Sequence, residues 1–191
     1  VMEKIDAALI ADRVARHRWV KQANVTKQRA RRLLHVAVTE RAPAALVMGA
    51  RGGPAYYLDR TGHAMPLPDS GGADVPIVRG LDAEYHPMRP VAPPSLRGLL
   101  SAFSTAKAEH LVSEIAMQPD SSVRLVTTPI GQHGALPVRM GKTNFAAKLR
   151  QLRAFAKQVL ARQQKADEAP IAEIDLRFDG QVVTRQHRLD G

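Results

Sequence analysis

The sequence MGKT at residues 140–143, followed by a helical pattern, invites comparison with a phosphate-binding loop. Such a loop wraps phosphate oxygens with backbone amides and needs a second glycine five residues before Gly141. That position is Leu136, and Pro137 removes one of the backbone donors. We therefore interpret Gly141 as part of a strand-to-helix turn and Thr143 as the N-cap of the following helix, without a nucleotide.

Other residue types that support catalysis or metal binding are present but scattered. The seven histidines stand singly, and none has the i, i+4 spacing of a metalloprotease helix. No GxSxG motif occurs, and paired carboxylates such as Asp82 with Glu84 fall in segments with the composition of loops. Cysteine is absent, which excludes thiolate metal sites and cysteine nucleophiles. We predict no catalytic residue, no cofactor and no metal site.

The chain is strongly basic, with 28 Lys and Arg against 18 Asp and Glu and a net charge of +10. Such a charge favours anionic partners, and a basic nucleic-acid-binding module is one interpretation. Single-strand binding would need exposed aromatic rings, but Phe145 and Phe155 fall on the apolar stripe of a long helix. The densest basic run, KQRARR at 27–32, is typical of a solvated turn.

Hydrophobic periodicity predicts a helix over 5–16 and an antiparallel hairpin from strands at 19–26 and 34–38, with Leu34, Val36 and Val38 on one face. Pro43 closes this segment and marks the predicted domain boundary. Two helices follow, at 94–108 and 143–163, the second with Lys148 beside its apolar stripe and Val159 on it. Further strands are predicted at 44–48, 55–58, 111–117, 123–128, 135–140, 171–178 and 181–186. Runs of antiparallel strands with two main helices indicate an α+β fold.

The last two strands are joined by Asp179 and Gly180, a pair that favours a tight two-residue turn. The final strand, QVVTRQH, has little sequence beyond it to cover its outer edge. An uncovered edge either pairs with a partner's strand or is protected by charges, here Arg185 and Arg188. Both interpretations stay open on these residues alone.

Three stretches together resemble the FtsQ/DivIB family of bacterial cell-division proteins. The first is HRWVKQANV with LLHVAVTERAPAAL, which is similar to the end of a POTRA domain whose strand closes on an ERxP motif. The second is YYLDRTGHAMPLP leading to PIVRG, similar to the start of the family's second domain. The third is VRMGKTNFAAKLRQLRAFAKQVLAR with IAEIDLRFDGQVVTR, which matches a strand, a long helix and a terminal strand pair.

The resemblance implies a truncated POTRA-like unit at 1–43 and a mostly antiparallel, FtsQ-type β-domain at 44–191. It implies a non-enzymatic divisome scaffold, anchored in the inner membrane by a single span outside this chain, with this region periplasmic at the division septum. We expect residues upstream of Val1, and a less stable segment at 1–43 without them. The alternatives are the nucleic-acid module and another POTRA-containing protein, of outer-membrane assembly.

In this family the terminal strand recruits the FtsB and FtsL subcomplex, with FtsB adding a strand to the sheet. Carried over by motif, the predicted partner-binding positions share the terminal hairpin; they are Arg177, Phe178, Gly180, Gln181, Val182, Val183 and Thr184.

Overall fold

A computed structural model describes residues 5–49, 53–81, 83–86, 89–131, 133–160 and 170–186. Its first part is a helix and a hairpin: α1 (Ala7–Ala15), β1 (Val20–Gln28) and β2 (Leu33–Glu40). The side chain of Asp6 caps α1 by accepting from the backbone N–H of Ala8 and Leu9. The predicted helix and antiparallel hairpin are confirmed, although Val36 and Val38 are nearly half exposed where their spacing predicts a buried face.

The rest of the described chain is built on one nine-stranded sheet, ordered β11-β10-β9-β8-β7-β6-β3-β4-β5. Its strands are β3 (Pro43–Met48), β4 (Pro54–Asp59), β5 (Ala64–Met65), β6 (Ile77–Arg79), β7 (Val112–Met117), β8 (Val123–Thr127), β9 (Pro137–Gly141), β10 (Ile171–Asp175) and β11 (Val183–Gln186). The pairs β3–β6, β6–β7 and β9–β10 are parallel, and the other five are antiparallel. The predicted α+β class and mostly antiparallel sheet are confirmed, whereas the POTRA-like unit and the domain boundary stay predictions.

Two helices, α2 (Pro94–Ala106) and α3 (Phe145–Phe155), pack together and share a core with the sheet. Pro94 begins α2, where its missing N–H costs no helical bond. The predicted stripe of α2 is buried at all five positions: Leu96, Leu99, Leu100, Phe103 and Ala106. The core is therefore aliphatic, as a chain with few aromatic residues requires.

Two predictions for α3 are wrong, at Thr143 and Val159. Thr143 is not the N-cap; Asn144 takes that position with φ +61° and no side-chain capping bond. Lys148, beside the predicted stripe, is itself buried at 4% exposure, and its Nζ donates to the carbonyl of Met140 at 2.8 Å. Val159 is exposed because the helix widens to π geometry over Ala156–Leu160, which shifts the apolar stripe out of phase. The predicted residues 161–163 of this helix lie outside the described residues.

A buried polar cluster around Asp59 ties the hairpin to the sheet. Asp59, at the end of β4, accepts from Nη1 of Arg41 at 2.6 Å and from the backbone N–H of Thr61 and His63 at 2.8 and 3.0 Å. The backbone N–H of Arg41 donates to the carbonyl of Trp19, directly before β1. Arg41 therefore links the two parts: its backbone bonds to the residue before β1, and its guanidinium bonds to Asp59 at the end of β4.

Burial and charge shift two pKa values in this cluster. Burial alone would raise the pKa of Asp59, but hydrogen bonds from Thr61, from the backbone N–H of His63 and from Arg41 lower it overall. The pKa of His63 is lowered, first by burial and then by the positive charges of Arg41 and Arg97. The negative charge of Asp59 acts in the opposite direction but does not outweigh them. In the unfolded chain, by contrast, His63 takes up a proton near its usual pKa of about 6.5.

We expect the free energy of unfolding to fall as the pH is lowered from about 7 to about 5, because only the unfolded chain readily protonates His63. Chemical unfolding at a series of pH values measures this slope. His63→Gln should flatten it. Below about pH 4 the loss of the Asp59 carboxylate adds a second decline that persists in His63→Gln. A slope unaffected by His63→Gln would contradict the assignment.

Candidate partner-binding edge

Strand β11 lies at one end of the large sheet, and within the described residues it pairs with β10 alone. All four of its residues are exposed, and Val183 is 43% exposed. The backbone groups along its outer side therefore have no strand to pair with in the part of the chain that the structure describes.

The direction of one hydrogen bond shows which groups face outward. The backbone N–H of Leu176, directly after β10, donates to the carbonyl of Arg139 in β9 at 2.9 Å. Because successive strand residues direct their N–H and C=O groups to alternate sides, those of Asp175 point toward β11. Asp175 is in register with Val183, so Val183 bonds back to β10. The N–H and C=O of Thr184 are thus directed to the free edge.

The connection before β11 is longer than predicted. Asp175 pairs with Val183, so residues 176–182 form a seven-residue loop rather than a two-residue turn. Its tip is still at Asp179 and Gly180, where Gly180 has φ +75° and the N–H of Gln181 donates to the carbonyl of Phe178 at 3.4 Å. Val182 lies in this loop, against the core, and not at the centre of the strand.

Leu176 explains the longer loop. Its side chain is fully buried, and its N–H bonds to β9. The chain therefore stays beside β9 for one residue beyond the last residue that pairs with β11. The alternation of apolar residues at 171–178 predicts a strand but does not indicate whether each backbone group bonds to β9 or to β11.

Arg177 and Phe178 form an exposed pair on this loop. The guanidinium of Arg177 bonds to both carboxylate oxygens of Asp175, at 2.6 to 3.0 Å, and lies 5.9 Å from the ring centre of Phe178. The hydrogen bond from Arg177 lowers the pKa of Asp175, and the same bond with the Asp175 charge raises the pKa of Arg177. Phe178 is 52% exposed, so its ring is available to a partner.

Polar contacts that the sequence did not indicate hold the hairpin in place. Glu173 in β10 accepts from Nε of Arg139 at 2.7 Å and lies 3.8 Å from Nη1 of Arg185 on β11. Nδ2 of Asn144, directly before α3, donates to Asp179 at 3.1 Å. The contact between Arg139 and Glu173 depends on the parallel pairing of β9 with β10, for which the sequence carried no signal.

Beside Arg177 lies a shallow groove of about 260 Å³. Arg124 and Arg139 also line it, and Asp120 is the acidic side chain on its rim. Of the predicted partner-binding residues, Val183 and Thr184 lie on β11, whereas Arg177 and Phe178 lie on the loop before it, with Gly180 and Gln181 at the loop tip. No helix among the described residues is long and apolar enough to cross a membrane.

Over the described residues, the fold and the site define an α+β protein whose large sheet ends in a strand with an unpaired outer side. Residues 42–185 match the family model described as FtsQ/DivIB, C-terminal related. The chain therefore belongs to the FtsQ/DivIB family of cell-division proteins, which confirms the resemblance drawn from the three sequence stretches.

Two curated relatives show how far the similarity extends. The chain is 56% identical to Cell division protein FtsQ of Salinibacter ruber, over 100% of this chain and 73% of the relative. It is 41% identical to Cell division protein FtsQ of Rhodothermus marinus, over 95% of this chain and 66% of that relative. The chain thus spans between about two thirds and three quarters of these proteins.

Proposed function

We propose that this protein is a non-enzymatic scaffold of the divisome that recruits the FtsB and FtsL subcomplex by β-strand addition to β11. The observation that carries the proposal is the free edge of β11, where the N–H and C=O of Thr184 point away from the sheet. Membership in the FtsQ/DivIB family supports a role in cell division and makes proteins of the division complex the natural partners.

Different groups at the edge supply affinity and selectivity for a partner strand. Backbone hydrogen bonds from an added strand hold many sequences equally well, so side chains beside the strand must choose the partner. Phe178 offers an exposed ring, and Arg177 lines a groove with two further arginines, Arg124 and Arg139. We infer that the partner strand carries an apolar residue against Phe178 and a carboxylate toward this groove.

The same proposal places this region on the periplasmic side of the inner membrane, at the division septum. A single membrane span outside this chain would hold it there. The relatives named Cell division protein FtsQ are longer than the aligned part, which leaves room for such a segment in those proteins.

We expect Thr184→Pro to weaken binding of the FtsB and FtsL extracytoplasmic segments at least tenfold, measured by isothermal titration calorimetry. Proline deletes the outward-facing N–H of residue 184, and a lost interfacial hydrogen bond with its unpaired acceptor is worth roughly 1–3 kcal/mol. The bond network to β10 is kept because Val183, not Thr184, faces it. Proline is also tolerated on edge strands.

Thr184→Val is the matched control, since it removes the hydroxyl but keeps the backbone N–H. It should bind within about twofold of the native protein if strand addition carries the affinity. Circular dichroism and the unfolding midpoint establish that both variants are folded. Equal affinity of folded Thr184→Pro and Thr184→Val would count against strand addition at β11.

A further inference from the structure

A second surface of the protein has the character of a binding site and lies apart from β11. It is a groove of about 730 Å³ between the end of α2 and the last turns of α3. Four basic side chains, Lys107, Arg150, Arg153 and Lys157, line it, and all four are exposed. We refer to it as the basic groove.

The charges of the basic groove are not neutralised within the described residues. No acidic side chain lines it, and none of its four Lys and Arg side chains forms an ion pair there. Elsewhere on the sheet, by contrast, Arg79 and Arg139 each have a carboxylate within 4 Å.

The spacing of these charges on α3 makes their accumulation unfavourable. Arg153 lies three residues from Arg150 and four from Lys157, which places like charges side by side on the helix surface. An arrangement that destabilises the free helix is relieved when an anionic partner binds. The groove is therefore matched by charge to a negatively charged ligand.

The shape and floor of the groove indicate which anionic ligand fits. Leu111 and the partly exposed Ile130 provide apolar surface between the basic walls. His110 is the one aromatic ring among the lining residues, and a single imidazole does not supply the successive stacking platforms that single-stranded nucleic acid needs. A recessed apolar floor is likewise out of reach of a flat bilayer surface, but it accepts an apolar side chain of a peptide.

We propose that the basic groove binds an acidic, amphipathic segment of a partner protein, with apolar residues on Leu111 and Ile130 and carboxylates toward the cations. Helix-in-groove recognition of this kind combines apolar anchors with complementary rims. The π-helical turn at Ala156–Leu160 lies at one end of the groove, and such turns are frequent at functional sites.

The basic groove and β11 can be occupied together. Asn144, at the start of α3, contacts the β11 loop through Asp179, whereas Lys157 lies 13 residues further along. At 1.5 Å per residue, Arg150 and Lys157 of the basic groove lie about 9 and 20 Å along the helix from Asn144. The inference therefore stands independently of strand addition at β11.

The test uses the 191-residue chain and a fluorescein-labelled 16-residue peptide, with leucines at helical i, i+3, i+4 and i+7 spacing and glutamates elsewhere, followed by anisotropy. We expect saturable binding to the native chain and a Kd at least about tenfold higher for Arg150→Glu/Arg153→Glu. Arg150→Gln/Arg153→Gln, which avoids acidic residues late in a helix, should show a smaller rise in the same direction.

The matched control is Arg29→Glu/Arg31→Glu, which makes the same change of charge at the exposed turn between β1 and β2. It should keep the Kd within about twofold at physiological salt, because neither residue lines the basic groove and salt screens exposed charges. Equal weakening by the control would show a diffuse charge effect and overturn the proposal, as would the absence of saturable binding to the native chain.

Three further probes identify the ligand class. A peptide with serine in place of leucine should bind at least about tenfold more weakly if Leu111 and Ile130 form the floor, because serine buries far less apolar surface than leucine. Single-stranded DNA or phosphatidylglycerol vesicles that bind while the peptide does not, with loss in the Arg150/Arg153 variants, would overturn the peptide proposal in favour of that ligand. Thr184→Pro should leave peptide binding unchanged.

Discussion

Arg41→Ala should lower the free energy of unfolding by about 3–5 kcal/mol at pH 7, the range observed when one partner of a buried ion pair is removed. The side chains of Arg41 and Asp59 are 16% and 6% exposed, and their 2.6 Å contact is a charge-assisted hydrogen bond. Without Arg41, the carboxylate of Asp59 stays buried with no cation to balance it. Urea unfolding followed by circular dichroism measures the change.

Arg60→Ala is the matched control for Arg41→Ala, because it removes another arginine beside the same strand. Its contact with Glu109 is longer, at 3.3 Å, and the two side chains are 54% and 45% exposed. Exposed pairs contribute about 0–1 kcal/mol, so the unfolding midpoint of this variant should hardly move. If the two variants lost equal free energy of unfolding, burial would not be the reason why the Arg41–Asp59 pair stabilises the protein.

Gly80→Ala should destabilise the protein by about 3 kcal/mol, combining backbone strain with a steric clash. Gly80 directly follows β6 and has φ +72°, a conformation that costs L-residues about 1–2 kcal/mol. A Cβ atom there would lie 2.5 Å from the backbone oxygen of Met117, so β6 would have to move away from β7. Thermal and urea unfolding measure the loss.

Gly71→Ala separates these two contributions. Gly71 has nearly the same φ, +75°, but an added Cβ would meet nothing within 4 Å. This variant should lose only the strain of about 1–2 kcal/mol. If Gly80→Ala were no more costly than Gly71→Ala, the close approach of β6 and β7 would not be the cause.

The elements with strong periodicity were predictable from sequence, and the pairing between distant strands was not. The stripe of α2, from Leu96 to Ala106, is buried as its spacing predicts, because 3.6-residue periodicity is a local property. Strands β5 and β6 escaped prediction because two or three residues between turns show no alternation. The parallel pairs that include β6 and β10 depend on contacts more than 25 residues apart in sequence.

The candidate edge was predictable only in part, because the sequence shows local pattern but not the pairing of distant strands. The terminal strand at Val183 and Thr184 followed from the apolar run after the Asp179 and Gly180 pair. The outward direction of Thr184 did not, because it depends on the bond between Leu176 and Arg139 across the β9–β10 pair. The burial of Lys148 was missed since a lysine gives no sign that its Nζ will find the carbonyl of Met140.

The βαβ connection from β9 through α3 to β10 also governs the order of assembly during synthesis. Because β9 and β10 are parallel neighbours, β10 can pair with β9 only after the intervening α3 has been synthesised. Strand β11 then adds to β10, as the last step in both sequence and space. Until that step the growing sheet ends at β9 or, once β10 has joined, at β10, and the exposed side of either strand has a different sequence. The edge that β11 presents therefore exists only on a completely folded molecule, so a partner that pairs with it selects finished copies over nascent ones.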